Sequence, residues 1–559
     1  MKLEMTFEGM TCLECAKKLE KALRSVAGVE GARVSYPDRS GSVEASDEVS
    51  RDDLFRVVEQ AGYRAEITAD GRTAAAIQGR ALEVGGAHAG AGDYDLVILG
   101  TGGAGTAAAI RASELGARVA IVEGAEVVGG TCVNIGCIPS KFLIEAAHHV
   151  HVSRTAFPGV SACEPQVAWT EVLRRTWEMV ETLRQEKYLD VLASYEGVSR
   201  VRGQAKLLGG SRVQVGNQEL RAPRIIVATG TRPAMPPIPG LAEAGALDST
   251  TAMELQKLPE SMVVIGGGSI GLELGQAFAR FGVRIVVIEA LPRILPNEDP
   301  ALAEALAGAL RAEGIEIHVG VRVTEVRRDD AGVVVQVQDG SVAGEIRVAA
   351  ILVATGRVPN TQDLGLQDAG VEVDANGFIQ VDEFMRTTSP GVYAAGDVTG
   401  GPGYVYVAAY GGGIAAQAAL AESSRQEAIP ADLSATPRVT FTDPQVAAVG
   451  MTEDEARAAG IRTKVAALPM EYLPRAIVSE RRQGLIKLVA DAESDVLLGA
   501  HILGPNAGDV IGEATLAIRF GLRVQQVVST LHPYLTWAEG IRLAGQTFTK
   551  DIAQLSCCA

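Results

Sequence analysis

Apolar and polar residues alternate through Leu3, Met5 and Phe7, and apolar residues then recur at helical spacing over residues 15–26. A strand-like GARVSY, a short strand near Val43, a helix over 52–60 and a closing strand over 63–67 follow. This order, βαββαβ, predicts a ferredoxin-like unit over residues 1–68. Residues 69–92 lose the amphipathic period and turn Ala/Gly-rich, which predicts a flexible linker, and about 20 such residues reach roughly 25 Å. From Tyr94 onward the pattern changes to short, continuous apolar runs that end on glycine or on an acid, as buried strands of an α/β body do.

The first run, YDLVILG, enters Gly100, Gly102 and Gly105, and a second strand ends on Glu123. A glycine turn, a helix N-terminus for pyrophosphate and a terminal acid for a ribose hydroxyl make a dinucleotide fingerprint. It returns at Gly266, Gly268 and Gly271, with Glu289 as the acid. Two dinucleotides in one chain predict electron transfer from a soluble nicotinamide to a bound flavin. Two Ala-Thr-Gly segments, Ala228, Thr229, Gly230 and Ala354, Thr355, Gly356, each follow a short apolar strand. Asp397, in GVYAAGDV, stands where a flavin ribityl or phosphate could be met.

A length of 559 residues suggests three or four domains. A formal charge of -17 leaves no basic field for a nucleic acid backbone, and 4% aromatics leave few platforms for stacking bases. No run approaches the 18 or so apolar residues of a membrane helix. The opening MKLEMTFEGM has no sustained apolar stretch of the kind an export signal carries. Seven cysteines, six of them in three pairs, do not form a disulfide framework in a chain this long. They predict a reducing, cytoplasmic setting in which such pairs bind metal or do catalysis.

Cys12 and Cys15 form a CxxC in GMTCLEC near a helix N-terminus, where amide dipoles favour thiolate. A redox motif, half a zinc site or a two-coordinate clamp for a soft metal would each use such a pair. Zinc wants about two further ligands, yet residues 1–68 hold no His and no other Cys. The adjacent Cys557 and Cys558 can close a disulfide only as a strained ring, whereas both sulfurs can share one thiophilic cation. Cys132 and Cys137 lie five apart in GGTCVNIGCIPSK, directly after the first fingerprint's acid, a place that brings them over the flavin. Pro139 suits the first turn of a helix whose N-terminus would lower the Cys137 thiol pKa. Cys163 fits none of these patterns and reads as a structural or incidental thiol.

GMTCxxC in the first loop of a βαββαβ unit resembles the heavy-metal-associated domain of soft-metal chaperones. Over about residues 93–559 the fingerprints, the Ala-Thr-Gly pairs, AAGD and GGTCVNIGCIPSK resemble the flavoprotein pyridine nucleotide-disulfide oxidoreductases, the class of glutathione reductase and dihydrolipoamide dehydrogenase. The resemblance implies a FAD-binding domain from residues 93–240 and 361–430, an NAD(P)H-binding domain at 241–360 and a dimerisation domain at 431–559. The expected fold class is therefore α/β, with two Rossmann-like dinucleotide-binding domains and an α+β C-terminal dimerisation domain behind a ferredoxin-like metal-binding domain. The same resemblance makes Cys137 the flavin-proximal thiolate and Cys132 the interchange thiol. It sets Lys141 near the flavin, paired with Glu273, and gives Thr131 and Gly356 to the cofactor.

Disulfide reductases of this class carry HPTxxE near the C-terminus, and its His protonates the leaving thiolate. Five residues before Glu539 this chain has Tyr534, and His532 is out of register. That departure, the thiol pairs and the closing FTKDIAQLSCCA resemble the mercuric reductase family over nearly the full length. Its implied substrate is Hg(II) in thiol complexes. Its implied homodimer would place the active site at the interface, where Cys557 and Cys558 of one subunit reach Cys132 and Cys137 of the other. Tyr188 and Tyr534 would flank the metal, and Cys12 and Cys15 would act as upstream donors.

The family implies NADPH, whereas Glu289 would accept from a free ribose hydroxyl and repel a 2′-phosphate, favouring NADH unless Arg293 turns inward. Two other functions stay open. A disulfide reductase of the dihydrolipoamide dehydrogenase or glutathione reductase type would require His at 534 and leaves Cys557 and Cys558 unexplained. A metal-sequestering protein with the flavin body as scaffold would show no metal-dependent NAD(P)H oxidation.

Overall fold

The computed structural model describes residues 2–8, 13–26, 28–35, 40–46, 49–61, 63–70, 94–340 and 342–555. They belong to two compact units, Met1–Ala89 and Gly90–Ala559. In the first, strands Lys2–Glu8, Val29–Ser35, Ser40–Ala45 and Arg64–Asp70 and helices Leu13–Arg24 and Arg51–Gln60 follow the βαββαβ order. Lys2–Glu8 lies between Ser40–Ala45 and Arg64–Asp70, Val29–Ser35 forms the far edge, and all three ladders are antiparallel. This is the expected ferredoxin-like sheet. Leu3, Met5 and Phe7 share one face because strand side chains alternate, and they are buried with Leu19, Leu23, Leu54 and Val58 of the two helices. The last strand runs to Asp70 rather than to residue 67, because it pairs along Lys2–Glu8 until Leu3 faces Asp70. Cys15 falls in the first turn of Leu13–Arg24. Cys12, residues 71–92 of the expected linker, and Cys557 and Cys558 lie outside the described residues.

The second unit is built on two parallel sheets. The first runs in the order Val392–Ala394, Arg224–Val227, Leu96–Leu99, Val119–Glu123, Val198–Arg202. The second runs Glu316–Val319, Arg284–Glu289, Ser261–Ile265, Ala350–Val353. Parallel sheets are covered on both faces, which is why their central strands read as nearly unbroken apolar runs, while the edge strands Val198–Arg202 and Glu316–Val319 carry polar residues. Leu96 through Leu99 are each at most 1% exposed, and burial of such a side chain stabilises by about 1.5–3 kcal/mol.

The chain leaves the first sheet through Thr231–Pro233 and returns through Arg357–Pro359, and these two strands pair antiparallel. Val392–Ala394 then resumes the first sheet beside Arg224–Val227. The second sheet is thus inserted into the first domain, and the ribbon at its neck sets Gly230 beside Asn360 and Gly356 beside Ala234. Each parallel sheet also carries a three-stranded antiparallel sheet, 205–221 and 321–348, which the apolar pattern does not signal.

Helices Gly103–Glu114 and Val405–Ser424 pack through small residues, so closely that a Cβ on Gly412 would lie 2.1 Å from the Ala104 carbonyl oxygen. The C-terminal part is a five-stranded antiparallel sheet, Arg438–Thr440, Gln445–Gly450, Leu497–Gly504, Leu485–Asp491, Thr463–Pro469. Helices Ala507–Arg519 and Glu539–Gln546 cover it, with Ile486, Leu488, Ile502, Ile511 and Ile541 in one core. Both parts match the expected fold class. Among the described residues, no helix is long and apolar enough to cross a membrane.

Candidate functional site

The strand Leu96–Leu99 ends on Gly100, whose φ is +108° and whose Cβ would lie 2.3 Å from the Ala228 carbonyl oxygen. Only glycine takes that turn under that carbonyl. Gly105 is tighter still, 1.8 Å from the Gly100 oxygen. The helix Gly103–Glu114 starts behind Gly102, which supplies no side-chain cap, so its first amides are left to an anion. Glu123 closes the turn, accepting from the Ala125 N–H at 2.7 Å and from the Thr101 hydroxyl.

The second turn repeats this construction. Gly266 has φ +110° and a Cβ position 2.4 Å from the Ala354 carbonyl oxygen, and a Cβ on Gly271 would lie 2.2 Å from the Gly266 oxygen. A Cβ on Gly268 would meet nothing within 4 Å, which leaves an open cradle before the helix Ser269–Arg280. Glu289 is buried and accepts from the N–H groups of Gly267 and Leu291, each at 2.7 Å. Arg293 donates to the Pro296 carbonyl at 2.7 Å. Two glycine cradles, two uncapped helix starts and two terminal acids fit two dinucleotides.

Between the turns, Thr229 and Asn360 exchange hydrogen bonds at 2.8 and 2.9 Å, which ties the first Ala-Thr-Gly segment to the residues after the second. Gly230 and Gly356 both take positive φ, and a Cβ on either would meet nothing within 4 Å. Asp397 opens a short 3-10 turn and accepts from the Thr231 hydroxyl at 3.1 Å.

Cys132 lies in the short helix Gly130–Ile135, and Cys137 is the first residue of the 18-residue helix Cys137–Arg154. Thr131 backs the bend between them, its carbonyl 2.9 Å from where a Gly136 Cβ would be. Cys132 and Cys137 are free thiols, and Cys137 is exposed. A hydrogen bond from the Cys132 thiol, aided by the Lys141 charge, lowers the Cys137 pKa to about 7, while the same bond raises that of Cys132. The sign is the expected one, but the neighbouring sulfur is the main cause.

Lys141, one turn along, pairs with Glu273 at 2.6 Å and lies over the Phe441 ring. The Glu273 side chain is 7% exposed, and its other oxygen accepts the Phe441 N–H at 2.8 Å. This is a half-buried joint between the redox helix, the second fingerprint's helix and the C-terminal domain. Tyr188 sits in a π-helical turn, Gln185–Leu189, of a kind often found at functional sites. Burial, with the charges of Cys132 and Cys137, pushes its pKa up to about 12, so near neutral pH the phenol keeps its proton beside the thiolate.

Tyr534 is 55% exposed in the turn before Glu539, whose buried carboxylate accepts the Leu535 N–H at 3.3 Å. The His532 side chain is buried, with Nδ1 at 2.9 Å from the Thr530 carbonyl and Nε2 at 2.6 Å from Glu513. Both ring nitrogens are engaged within this subunit. Cys163 is exposed, on the loop after the redox helix.

Two groups escaped the sequence reading. Arg357, directly after the second Ala-Thr-Gly, donates from Nε to the Thr231 hydroxyl at 2.7 Å and from Nη2 to the Thr231 carbonyl at 2.8 Å. Burial lowers its pKa, and it stands within electrostatic reach of Asp397 and Cys137. Asp443 accepts from Arg280 at 3.0 Å and from Arg481, and pairs with His148 at 3.0 Å. Burial alone would raise the Asp443 pKa, but His148, Arg481 and Arg280 together bring it down. Asp443 thus anchors the redox helix a second time, two turns beyond Lys141. The signal for Arg357 was its place beside a recognised motif; Asp443 has none in the local sequence.

Residues 94–412 match the family model described as pyridine nucleotide-disulphide oxidoreductase, and residues 436–544 match its dimerisation domain. Residues 4–64 match the heavy-metal-associated domain. The chain is 40% identical over 560 residues to a mercuric reductase from Lysinibacillus sphaericus, covering 100% of both chains. It is 41% identical over 563 residues to one from Acidithiobacillus ferrooxidans, covering 100% of this chain and 98% of that one. Among solved structures it resembles the HOCl-induced flavoprotein disulfide reductase RclA from Escherichia coli, with a TM-score of 0.72 and 30% identity over 81% of this chain and 99% of that one.

Proposed function

Because the chain belongs to the mercuric reductase family, within the pyridine nucleotide-disulphide oxidoreductases, we propose that it reduces thiol-bound Hg(II) to Hg(0) at Cys132 and Cys137. The observation that carries this reading is a pair of free thiols, Cys132 and Cys137, joined by a hydrogen bond at the start of the helix Cys137–Arg154 and within electrostatic reach of Tyr188. Gly100, Gly102, Gly105, Glu123, Ala228, Thr229, Gly230, Thr131, Lys141, Gly356 and Asp397 would hold FAD. Gly266, Gly268, Gly271 and Glu289 would hold the nicotinamide dinucleotide. When bound, these cofactors supply the pair of electrons that the reduction consumes.

The rest falls to side chains of this chain. Hg(II) is soft and prefers thiolate to nitrogen or oxygen, so it arrives by exchange, each incoming sulfur displacing an outgoing one. Cys137, with its pKa near 7, attacks first as a thiolate. Cys132 then exchanges its proton for the metal, and both sulfurs hold Hg(II) while the departing carrier thiolates leave. Two electrons turn the bound Hg(II) into Hg(0), which leaves as a neutral atom, and the sulfurs return to a thiolate and, after taking up one proton, a thiol. No leaving thiol has to be protonated by a histidine. That suits a site where position 534 is tyrosine and His532 is occupied by Glu513 and the Thr530 carbonyl. Cys12, Cys15, Cys557 and Cys558 enter as earlier thiolate donors on their chemistry alone.

NADH is the electron donor in this proposal. Glu289 is fixed at the end of its strand by two backbone N–H groups, where a carboxylate suits a free ribose hydroxyl and opposes a 2′-phosphate. The active form is a homodimer in the cytoplasm, a reading supported by the dimerisation-domain match and by the exposed Leu516, Phe520 and Leu531. The likeness to RclA favours one second reading, a disulfide reductase.

The deciding experiment follows NADH and NADPH oxidation by the FAD-loaded protein with excess small thiol, comparing Hg(II), oxidised glutathione and lipoamide while trapping mercury vapour. Oxidation that needs Hg(II) and fills the trap supports the reductase. Disulfide turnover with an empty trap supports the second reading, and no oxidation with any acceptor would leave metal sequestration.

A further inference from the structure

Thr101 occupies the unassigned place between Gly100 and Gly102 of the first fingerprint and is 2% exposed. A buried threonine hydroxyl has one proton to donate and lone pairs to accept with, and here both roles are filled. The O–H donates to Glu123, and the oxygen accepts the Gly129 N–H at 3.0 Å. Gly129 is the first residue of GGTCVNIGCIPSK, the loop that carries the thiols. Its neighbour Gly130 presses on the same turn, since a Cβ there would lie 2.5 Å from the Gly102 Cα. Gly129 and Gly130 both take positive φ, so this stretch has wide conformational freedom unless something holds it. Thr106 braces the arrangement from behind, its hydroxyl donating to the Thr101 carbonyl at 2.8 Å.

We propose that Thr101 is a positioning residue for the redox pair, its hydroxyl linking the ribose-binding acid Glu123 to the Gly129 amide and so setting the start of the Cys132–Cys137 loop on the dinucleotide turn. The second fingerprint supplies a comparison. The residue in the same place is Gly267, whose own N–H donates to Glu289 at 2.7 Å. A glycine is enough to satisfy the acid. There the loop that follows is held by main chain alone, the Gly267 carbonyl accepting the Leu295 N–H at 2.9 Å, whereas at Thr101 a side-chain hydroxyl takes the loop's amide.

The inference rests on Cys132 and Cys137 being the redox pair, but its test needs no mercury and no turnover. Amide hydrogen exchange at Gly129 is measured in the FAD-loaded parent, in Thr101→Ser, which keeps the hydroxyl, and in Thr101→Val, which keeps the shape without it. The parent and Thr101→Ser should both protect this amide. Thr101→Val should speed its exchange by about tenfold or more while the helix Gly103–Glu114 stays protected, as expected when one buried hydrogen bond is lost. The second readout is the equilibrium of the Cys132–Cys137 dithiol with oxidised dithiothreitol. A loosened loop lowers the effective concentration of one sulfur at the other, so disulfide formation should fall several-fold in Thr101→Val and not in Thr101→Ser.

Equal exchange and equal equilibria in Thr101→Val and the parent would overturn the proposal. Should Thr101→Val fail to fold, the parent decides alone, because a Gly129 amide exchanging at the rate of an open loop is incompatible with the link. Failure of the mercury assay with these results intact would remove the function and leave Thr101 in place.

Discussion

The two dinucleotide turns are built alike and loaded differently. In each, the first glycine lies under the carbonyl of an Ala-Thr-Gly segment, at 2.3 Å for Gly100 and 2.4 Å for Gly266. In each, the terminal acid accepts the N–H two residues on at 2.7 Å. They part at the next position. The first turn has Thr101, whose side chain holds the Gly129 amide of the redox loop, and the second has Gly267, whose backbone serves both its own acid and the Leu295 N–H of the following loop, at 2.7 and 2.9 Å. The first acid is partly exposed and shares its oxygens with a side chain, while Glu289 is buried among backbone amides. On the proposed function, the first turn would hold FAD beside the thiol pair, and the second would bind and release the nicotinamide dinucleotide.

The sharpest break in the comparison is at the thiols, which only the first turn carries. Cys132→Ala should lower Hg(II) turnover by at least about 10^3-fold, as loss of a reacting group does, while nicotinamide binding stays as in the parent. It also tests the cause of the Cys137 pKa. In the parent, iodoacetamide alkylation of Cys137 should have a midpoint near pH 7, falling about tenfold per unit below it as thiolate is protonated. Loss of the Cys132 S–H donor removes the main stabiliser of that thiolate, so the midpoint moves up and the rate at pH 7 drops. An unmoved midpoint would assign the shift to Lys141 instead.

Next in size is the pair Gly100→Ala and Gly266→Ala. Each forces a Cβ within 2.5 Å of a backbone carbonyl at positive φ, and strain of that kind costs about 1–3 kcal/mol or more. The stability losses should be alike, but the functional losses should not. Gly100→Ala should purify without FAD, whereas Gly266→Ala should keep its flavin absorbance and lose nicotinamide affinity. A flavin-free Gly266→Ala would mean the turns are not separable.

Glu289→Gln keeps the size of the side chain and removes the charge. If the carboxylate selects against a 2′-phosphate, the ratio of kcat/KM for NADH over NADPH should fall by about tenfold, equivalent to ~1.4 kcal/mol. A ratio that stays put would show that the charge, already facing the Gly267 and Leu291 amides, does not discriminate.

What the sequence shows of this site divides along the same line. Glycine turns, their acids some twenty residues on, and cysteines five apart are local patterns, because one short stretch of backbone has to make each feature. The features that join stretches are not local. Thr101 fills a position where the fingerprint accepts any residue, and its partner Gly129 is 28 residues away. Arg357 finds Thr231 across 126 residues, and Asp443 finds His148 across 295. The antiparallel sheets at 205–221 and 321–348 escape for another reason: their strands mix buried and exposed positions, whereas central parallel strands such as Leu96–Leu99 are uniformly apolar. The lysine–glutamate pair lies between these cases, since each partner belongs to a recognisable motif and only the fold brings them to 2.6 Å.

The smallest expected effect tests what the second glycine of each turn is for. Gly102 and Gly268 have φ of -66° and -81°, which alanine adopts without strain. A Cβ on Gly268 would meet no protein atom within 4 Å, and one on Gly102 would make ordinary contact with the Gly130 Cα at 3.7 Å. Neither glycine is needed by the protein's own packing, and on the proposed function both leave room for the pyrophosphate of a dinucleotide. Gly268→Ala should leave the melting temperature and the FAD content as they are and raise the KM for the nicotinamide by a few-fold, with kcat nearly unchanged. Gly102→Ala should do the converse, weakening FAD retention with the nicotinamide KM unmoved. Should Gly268→Ala lower the melting temperature instead, the open space before Ser269–Arg280 would be part of the fold's own packing, and the likeness of the two turns would end at their first glycine.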